Sequence, residues 1–547
     1  MKKKMFSVGL LGLTLLAISA CGSSGKADPK EAGPAQDLTP YGKYEEPVEF
    51  TIGRGVYSGG SLPEGMTIED NTGTKYVEEM ANVHAKVAWE SQDTAQKIAL
   101  SISTGDIPDV MIVNRQQFKQ LVDNDLIADM TEVYEKTASD HLKEIYDSFG
   151  DIILDQITVD GKLMGLPLTS IGGQQDLLWI RKDWLEKSGK DLPKTKQEVY
   201  ELAEEFVKQD FAGNGETVGL SMGTKIAGTY NSGYSLNPIF YANQSYPRQW
   251  IEKDGETVYG TIQPETKETL EELSQLYKDG VIDKQFAVRK TEDLSALVSS
   301  GKLGMLFYPW WAPYGDIQQA IANDPEADWI PISAPEDEEG NINVTQNDPI
   351  GGVIVVRKDF SNPEAIVKSM NLSQDFIYQL TPEAKEFTQQ EIPDMKTRWD
   401  HILVQVPAQL DFNDITTRIY TALTEAIDDG SSEDLRLDLL PVYNNYEILQ
   451  KDGPKSDLTA WGDVKARLDG EKASFDERIK KIDVNFFDTT PTMDTAWTNL
   501  VKLEDEMFVR IITGEEPIEY FDEFVSQWNK IGGETITKEV NEVVKGQ

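Results

Sequence analysis

Cys21 is the single cysteine among 547 residues, and its surroundings assign it a chemistry. Lys2, Lys3 and Lys4 precede an apolar run from Met5 to Ala17, and Ile18-Ser19-Ala20 place small residues immediately before the thiol. That order is a secretory leader ending at a cysteine. It resembles a bacterial lipobox, in which the thiol is lipidated and the cysteine becomes the N-terminus after cleavage. The apolar run is shorter than the roughly 20 residues that a bilayer core requires, which argues against a transmembrane helix. Cleavage removes three lysines and takes the formal charge from -42 to -45. Residues 22–46 are rich in Gly, Ser, Pro and charge, the composition of a flexible tether. The expected location is the outer face of a cell membrane, with the chain held there by lipid on Cys21.

Other groups suited to covalent or metal chemistry are sparse. His84, His141 and His401 are scattered and form no HExxH arrangement, and one cysteine excludes an intrachain disulfide framework or a Cys-rich metal site. Gly219-Leu220-Ser221-Met222-Gly223 matches G-x-S-x-G. A nucleophile elbow needs strand, turn and helix with a base nearby, whereas residues 224–234 do not read as a helix and His401 is the only histidine downstream. A glycoside hydrolase needs two carboxylates across a cleft, and 94 acidic residues make such a pair easy to imagine but impossible to locate. No GxxxxGK[ST] loop is present, so no bound nucleotide is expected. With 94 acidic against 52 basic residues, the field repels phosphate backbones, which rules against nucleic acid as a partner. A 39% hydrophobic content is enough for a core, and this length is enough for several lobes.

The elements that would position a site alternate between strand and helix. Val48 to Arg54 and Ala85 to Ser91 read as strands, and Asp109 to Val113 as a strand buried on both sides, with helical spacing over Tyr76–Val83 and Thr94–Ser103 between them. Asp160-Gly161 sits between apolar runs as a hairpin turn. Leu178–Ile180, Leu303–Tyr308, Trp329–Ile332 and Gly351–Val356 are further strands. Lys196–Gln209, Thr266–Lys278 and the segment opening at Asn362-Pro363-Glu364 are helices, and the tail from Val464 is mostly helical. A βαβαβ order predicts parallel sheets covered by helices, with a ligand crevice at the strands' carboxyl ends.

Four segments carry a family resemblance: LLWIRKDWLEKSGKDLPKT (177–195), VYGTIQPETKETLEELSQLYKDGVIDKQF (258–286), SSGKLGMLFYPWW (299–311) and ITGEEPIEYFDEFVSQWNKIGGETITKEVNEV (512–543). Together with GDIPDVMIV (105–113) and LIADM (126–130), they are similar to family 1 extracellular solute-binding lipoproteins of carbohydrate ABC importers, in the LplA/LipO-like branch. The resemblance covers the mature chain from residue 48 onward. It implies an α/β, two-lobed periplasmic-binding-protein-like fold of type II, each lobe a mostly parallel sheet with helices on both faces. The first lobe is expected at 47–170 plus 355–425 and the second at 171–354 plus 426–547, hinged around a cleft. It further implies a monomer that captures a sugar or oligosaccharide and delivers it to the transmembrane subunits of an ABC permease, with no catalysis and no cofactor. A carbohydrate-sensing or adhesion lipoprotein is the alternative, and a glycoside hydrolase a weaker one.

The resemblance also directs attention to side chains. A sugar presents apolar C–H faces to aromatic rings and hydroxyls to amides, carboxylates and Arg. Trp310 and Trp311 follow Pro309 where family members present an indole platform, so one is expected on the ligand and the other in the interlobe core. Trp250 belongs either to a cleft loop or to plain packing, while Trp179 and Trp184 read as core. Arg54, flanked by glycines at a strand end, is a cleft group or a solvated turn. Gln116 and Gln117 stand where the maltose-binding branch has an Asp-Arg pair, so maltose specificity does not carry over; they bind hydroxyls or form an exposed first helical turn. Asp348 touches ligand or caps a turn. Asp210 opens a segment resembling the branch's calcium loop, but the third and twelfth positions hold Ala212 and Ser221, which favours a plain turn over bound calcium.

Overall fold

A computed structural model describes residues 35–56, 65–171, 174–213, 215–228, 233–391, 406 and 409–546. Cys21 and His401 lie outside them.

The first sheet contains β1 (Val48–Gly55), β2 (Val83–Ser91), β3 (Val110–Val113), β6 (Leu166–Thr169) and β14 (Ile350–Val356), in the order β2-β1-β3-β14-β6. Between β3 and β6 lies the small hairpin β4 (Thr158–Val159) and β5 (Lys162–Leu163), turned by Asp160 and Gly161 with φ of 51° and 74°. Both residues with positive φ are what a type I′ turn demands. The second sheet is built from β7 (Leu177–Arg181), β8 (Val218–Leu220), β11 (Leu303–Tyr308) and β12 (Trp329–Ile332), in the order β12-β7-β11-β8. Two ribbons flank it: β9 (Trp250–Lys253) with β10 (Glu256–Tyr259), and β13 (Ile342–Thr345) with β15 (Ile479–Ile482).

Each large sheet runs in one direction except for one strand. β14 pairs antiparallel with β3 and β6, and β7 pairs antiparallel with β11 and β12. These are the two strands that follow a crossing between lobes. A chain that crosses at the carboxyl ends of the parallel strands enters the next sheet from that edge, so its first strand must run backwards.

Burial follows the alternation of the strands. One core, from Tyr44 to Tyr443 in sequence, encloses the first sheet. In the second lobe, Leu178, Ile180, Met305 and Phe307 face one core while Leu177, Trp179 and Leu306 face another, so that sheet is covered on both sides. The helix Lys196–Gln209 shows why the covering layers form. Thr195 caps it by accepting from Glu198 N, Glu198 returns the bond to the Thr195 N–H, and Val199, Tyr200, Leu202, Ala203 and Phe206 make one buried face.

The chain returns to the first sheet at Ile350, ahead of the expected 355. Residues beyond 425 stay with the first core, because Leu435, Leu437, Leu439, Val442 and Tyr443 pack there. The helix Leu440–Asp452 then carries the chain across, with Leu449 in the second lobe.

Candidate functional site

Between the two sheets lies a cavity of about 680 Å³, within the range of small-ligand sites. Gln116 reaches it from the first lobe, Ser170, Gln346, Asn347 and Asp348 from the crossings, and Arg248–Trp250 and Phe486–Thr498 from the second lobe.

Its wall is aromatic and anchored from below. Trp528 stacks on Tyr259 at 5.1 Å and 10°, Tyr259 meets Trp250 at 4.9 Å and Trp497 at 5.4 Å, and Trp250 lies 6.5 Å from Trp497 at 25°. Beneath the column, Glu504 is fully buried and accepts from Tyr259 Oη at 3.2 Å, Trp528 Nε1 at 3.3 Å and Arg248 Nε at 3.3 Å. Burial pushes its carboxyl up to about 7 against the pull of Arg248. Local sequence sets the geometry: Gly260 lets the Tyr246–Gln249 loop close over it, since a Cβ there would lie 1.9 Å from the Tyr246 carbonyl oxygen. Arg248 holds φ at 64° with its N–H on Thr261 Oγ1. The segment after β15 is tied in when Asn485 N donates to Trp250 O at 2.8 Å, which sets Phe486 against the Trp250 ring.

Of the residues singled out in the sequence, the structure brings Gln116, Trp250 and Asp348 to this cavity. Gln116 Nε2 donates to Asp494 Oδ1 at 3.4 Å, a contact from one lobe to the other. Trp250 is 4% exposed and supports the wall, whereas the half-buried Trp497 and Phe487 offer more open surface. Asp348 lines the cavity, binds Arg115 at 2.9 and 2.5 Å, and accepts from Ile350 N as β14 begins.

The others sit elsewhere. Trp310 is packed in the second-lobe core with the Arg467 guanidinium 4.3 Å above its ring, so the platform position is covered by this chain's own cation. Trp311 stands edge-on to Trp310 at 5.4 Å, also against that core. Gln117 is engaged within the first lobe, accepting from Asn114 N at the start of its own helix and donating to Ala95 O of the helix Thr94–Thr104. Arg54 is 8% exposed in its side chain and faces Glu90 along β2. Trp179 and Trp184 are core.

Sequence reasoning missed Arg248, Phe487, Asp488, Asp494 and Trp497. The stretch from Phe486 to Trp497, with aromatics and acids around a Thr-Thr-Pro-Thr break, was the available signal.

Ser221 follows β8 into a loop rather than a helix, is buried, and lies 3.4 Å from Asp283 Oδ2. The described histidines, His84 and His141, belong to the first lobe. The Asp210 loop closes on itself: Asp210 Oδ2 accepts from Gly215 N at 2.8 Å, Oδ1 accepts from Thr217 Oγ1 at 2.9 Å, and Thr217 Oγ1 accepts from Ala212 N. The Gly215 N–H holds the Asp210 carboxyl below its usual range. Calcium wants six or more oxygens, and Ala212 and Ser221 stand where the third and twelfth positions of such a loop would supply them. Among the described residues no group of three or more His, Cys, Asp or Glu is arranged to hold a metal, and no helix is long and apolar enough to cross a membrane.

The family model of bacterial extracellular solute-binding proteins matches residues 59–379. The chain belongs to that family. Among curated relatives of this solute-binding protein, the polygalacturonan/rhamnogalacturonan-binding protein YtcQ of Bacillus subtilis is 23% identical over 236 residues, covering 42% of this chain and 45% of YtcQ. The fructooligosaccharide ABC transporter substrate-binding protein FusA of Streptococcus pneumoniae is 24% identical over 388 residues, 68% of this chain and 67% of FusA. Lipoprotein LipO of Bacillus subtilis is 28% identical over 160 residues, 28% of this chain and 30% of LipO. The chain thus spans under half the length of YtcQ and LipO in these alignments. The structure of FusA with kestose superposes with a TM-score of 0.58 at 17% identity, covering 91% of this chain and 99% of FusA, which shows the two-lobed fold.

Proposed function

We propose that this chain is the lipid-anchored receptor of a carbohydrate ABC importer, capturing an oligosaccharide between its lobes and presenting it to the permease. The observation that carries the reading is the cavity itself. Indole and phenyl rings of Trp250, Trp497 and Phe487 form one wall, while the amides of Gln116, Gln249 and Asn347 and the carboxylates of Asp488 and Asp494 surround it. Rings suit the C–H faces of a sugar and the polar groups suit its hydroxyls. Contacts made from both lobes stabilise the closed arrangement only by their preference for it, and the permease reads that shape.

The names of YtcQ and FusA, both carbohydrate binders, support this reading. The chain acts without catalysis and without a resident metal, as a monomer. Thermal-shift and calorimetric titration of residues 22–547 with mono- and oligosaccharides tests it, because ligand that binds only the folded chain raises its melting temperature by mass action. A ligand recovered shortened would refute the receptor role. Anchoring through Cys21 is tested by Cys21→Ser, which should release the chain into the medium.

A further inference from the structure

We propose that the ligand is uncharged and that the cavity rejects uronate-containing oligosaccharides; this rests on the carbohydrate-receptor reading. The ionisable residues among the described lining are Arg248, Asp348, Asp488 and Asp494.

A uronate carboxylate needs a cation that is free to receive it. Arg248 is already committed, with Nε 3.3 Å from the Glu504 carboxylate and Nη2 2.5 Å from that of Asp505, and its side chain is 16% exposed. Arg115, behind the wall, is likewise spent, bidentate on Asp348 with Nη2 also on Gln156. Asp488 and Asp494 have no cation partner among the described residues; the first accepts from Thr489 N and the second from Gln116 Nε2.

Positive potential also comes from the start of the helix Arg115–Asp123, whose Gln116 lines the cavity, and from the start of the helix Met493–Thr513. At the second of these the amides are occupied: Thr492 N donates to Glu539 Oε2, Met493 N to Thr490 Oγ1, and Asp494 N to Thr490 O. Asp494 itself adds a negative charge to that first turn. Among the described lining residues, an incoming anion therefore meets two carboxylates without a cation partner and no unengaged cationic side chain. Hydroxyls, by contrast, can donate to those carboxylates without charge repulsion. The chain departs here from what the name of YtcQ describes, a binder of acidic polymers.

The test is a calorimetric titration of residues 22–547 at low and at moderate salt. The panel holds neutral fructo-, gluco-, galacto- and xylo-oligosaccharides beside oligogalacturonates, glucuronate oligomers and alginate oligomers of equal length, with methyl-esterified oligogalacturonate as the uncharged twin of its acid. The expected result is binding among neutral members at least tenfold tighter than by any acid. Where an ester and its acid both bind, the gap should narrow with salt and in the Asp488→Asn/Asp494→Asn variant. An acid that binds as well as its neutral counterpart, or a gap that the double variant leaves unchanged, overturns the inference while leaving a sugar receptor. Silence from the whole panel refutes the receptor reading, and this inference with it.

Discussion

Asp176 gives the most demanding test of how the crossing between lobes is held. It directly precedes β7, is 6% exposed, and has one carboxylate oxygen 3.4 Å from Ser235 Oγ and the other with no hydrogen-bond partner. A void of about 10 Å³ touches Asp176 and Asn343, whose side-chain oxygen is also unpartnered. Burial raises the Asp176 carboxyl from 3.8 to about 7. An acid whose folded value is raised costs stability wherever the unfolded chain ionises first. The cost is absent below about pH 4, grows as pH rises, and levels off above about pH 7. Three units at about 1.4 kcal/mol each give about 4 kcal/mol as the upper end at neutral pH. Asp176→Asn keeps the shape, removes the titration and turns an N–H toward the void. The variant should be no more stable than the parent at pH 4 and more stable by up to about 4 kcal/mol at pH 7.5. Urea denaturation of both proteins from pH 4 to 8 supplies the assay, and the difference between them isolates Asp176 from Glu471 and Glu504, which burial also raises to about 7. Parallel stability curves for parent and variant would show that Asp176 is ionised and solvated in the fold.

Other substitutions separate wall from scaffold. Trp497→Ala should weaken sugar binding tenfold or more by calorimetry, a loss of about 1.4 kcal/mol, while the unliganded melting temperature holds within a degree or two. Trp310→Ala should do the reverse, lowering stability by about 3–5 kcal/mol in denaturant without selectively removing the ligand-induced shift, since Trp310 lies in the core beneath Arg467. Arg467→Ala leaves the fully buried Glu471 without its cation; a cost of about 3–5 kcal/mol is expected at pH 8 and less at pH 5.5, where Glu471 is protonated. Adding calcium or a chelator should leave the melting temperature unchanged, because Ala212 and Ser221 supply no acid at the third and twelfth positions of the Asp210 loop.

Periodicity revealed the scaffold where local sequence decides it. The helix Lys196–Gln209 carries its cap, its capping box and its apolar face within 15 residues, and β11 is a continuous apolar run, so both are found at the expected bounds. The site was less legible because long-range packing assigns it. Trp310 stands where a platform would, yet a residue far along the chain, Arg467, covers it. Trp497 lies in the helix Met493–Thr513, whose pattern reads as ordinary amphipathic structure, and only the approach of Trp250 and Tyr259 shows that one face opens on the cavity. Gln116 and Gln117 are neighbours with opposite fates because a helix start turns one side chain outward and uses the other as its cap.

The two reversed strands have a mechanical consequence. β14 is clasped between β3 and β6, and β7 between β12 and β11, so each of these linkers is rooted in the interior of a sheet rather than hung on its margin. Torque applied through a linker is shared at once by strands on both flanks, and each lobe has to swing as a stiff plate. The helix Leu440–Asp452 adds a third connection between the lobes, so probes fixed to the two sheets should report one angular coordinate as the protein shuts.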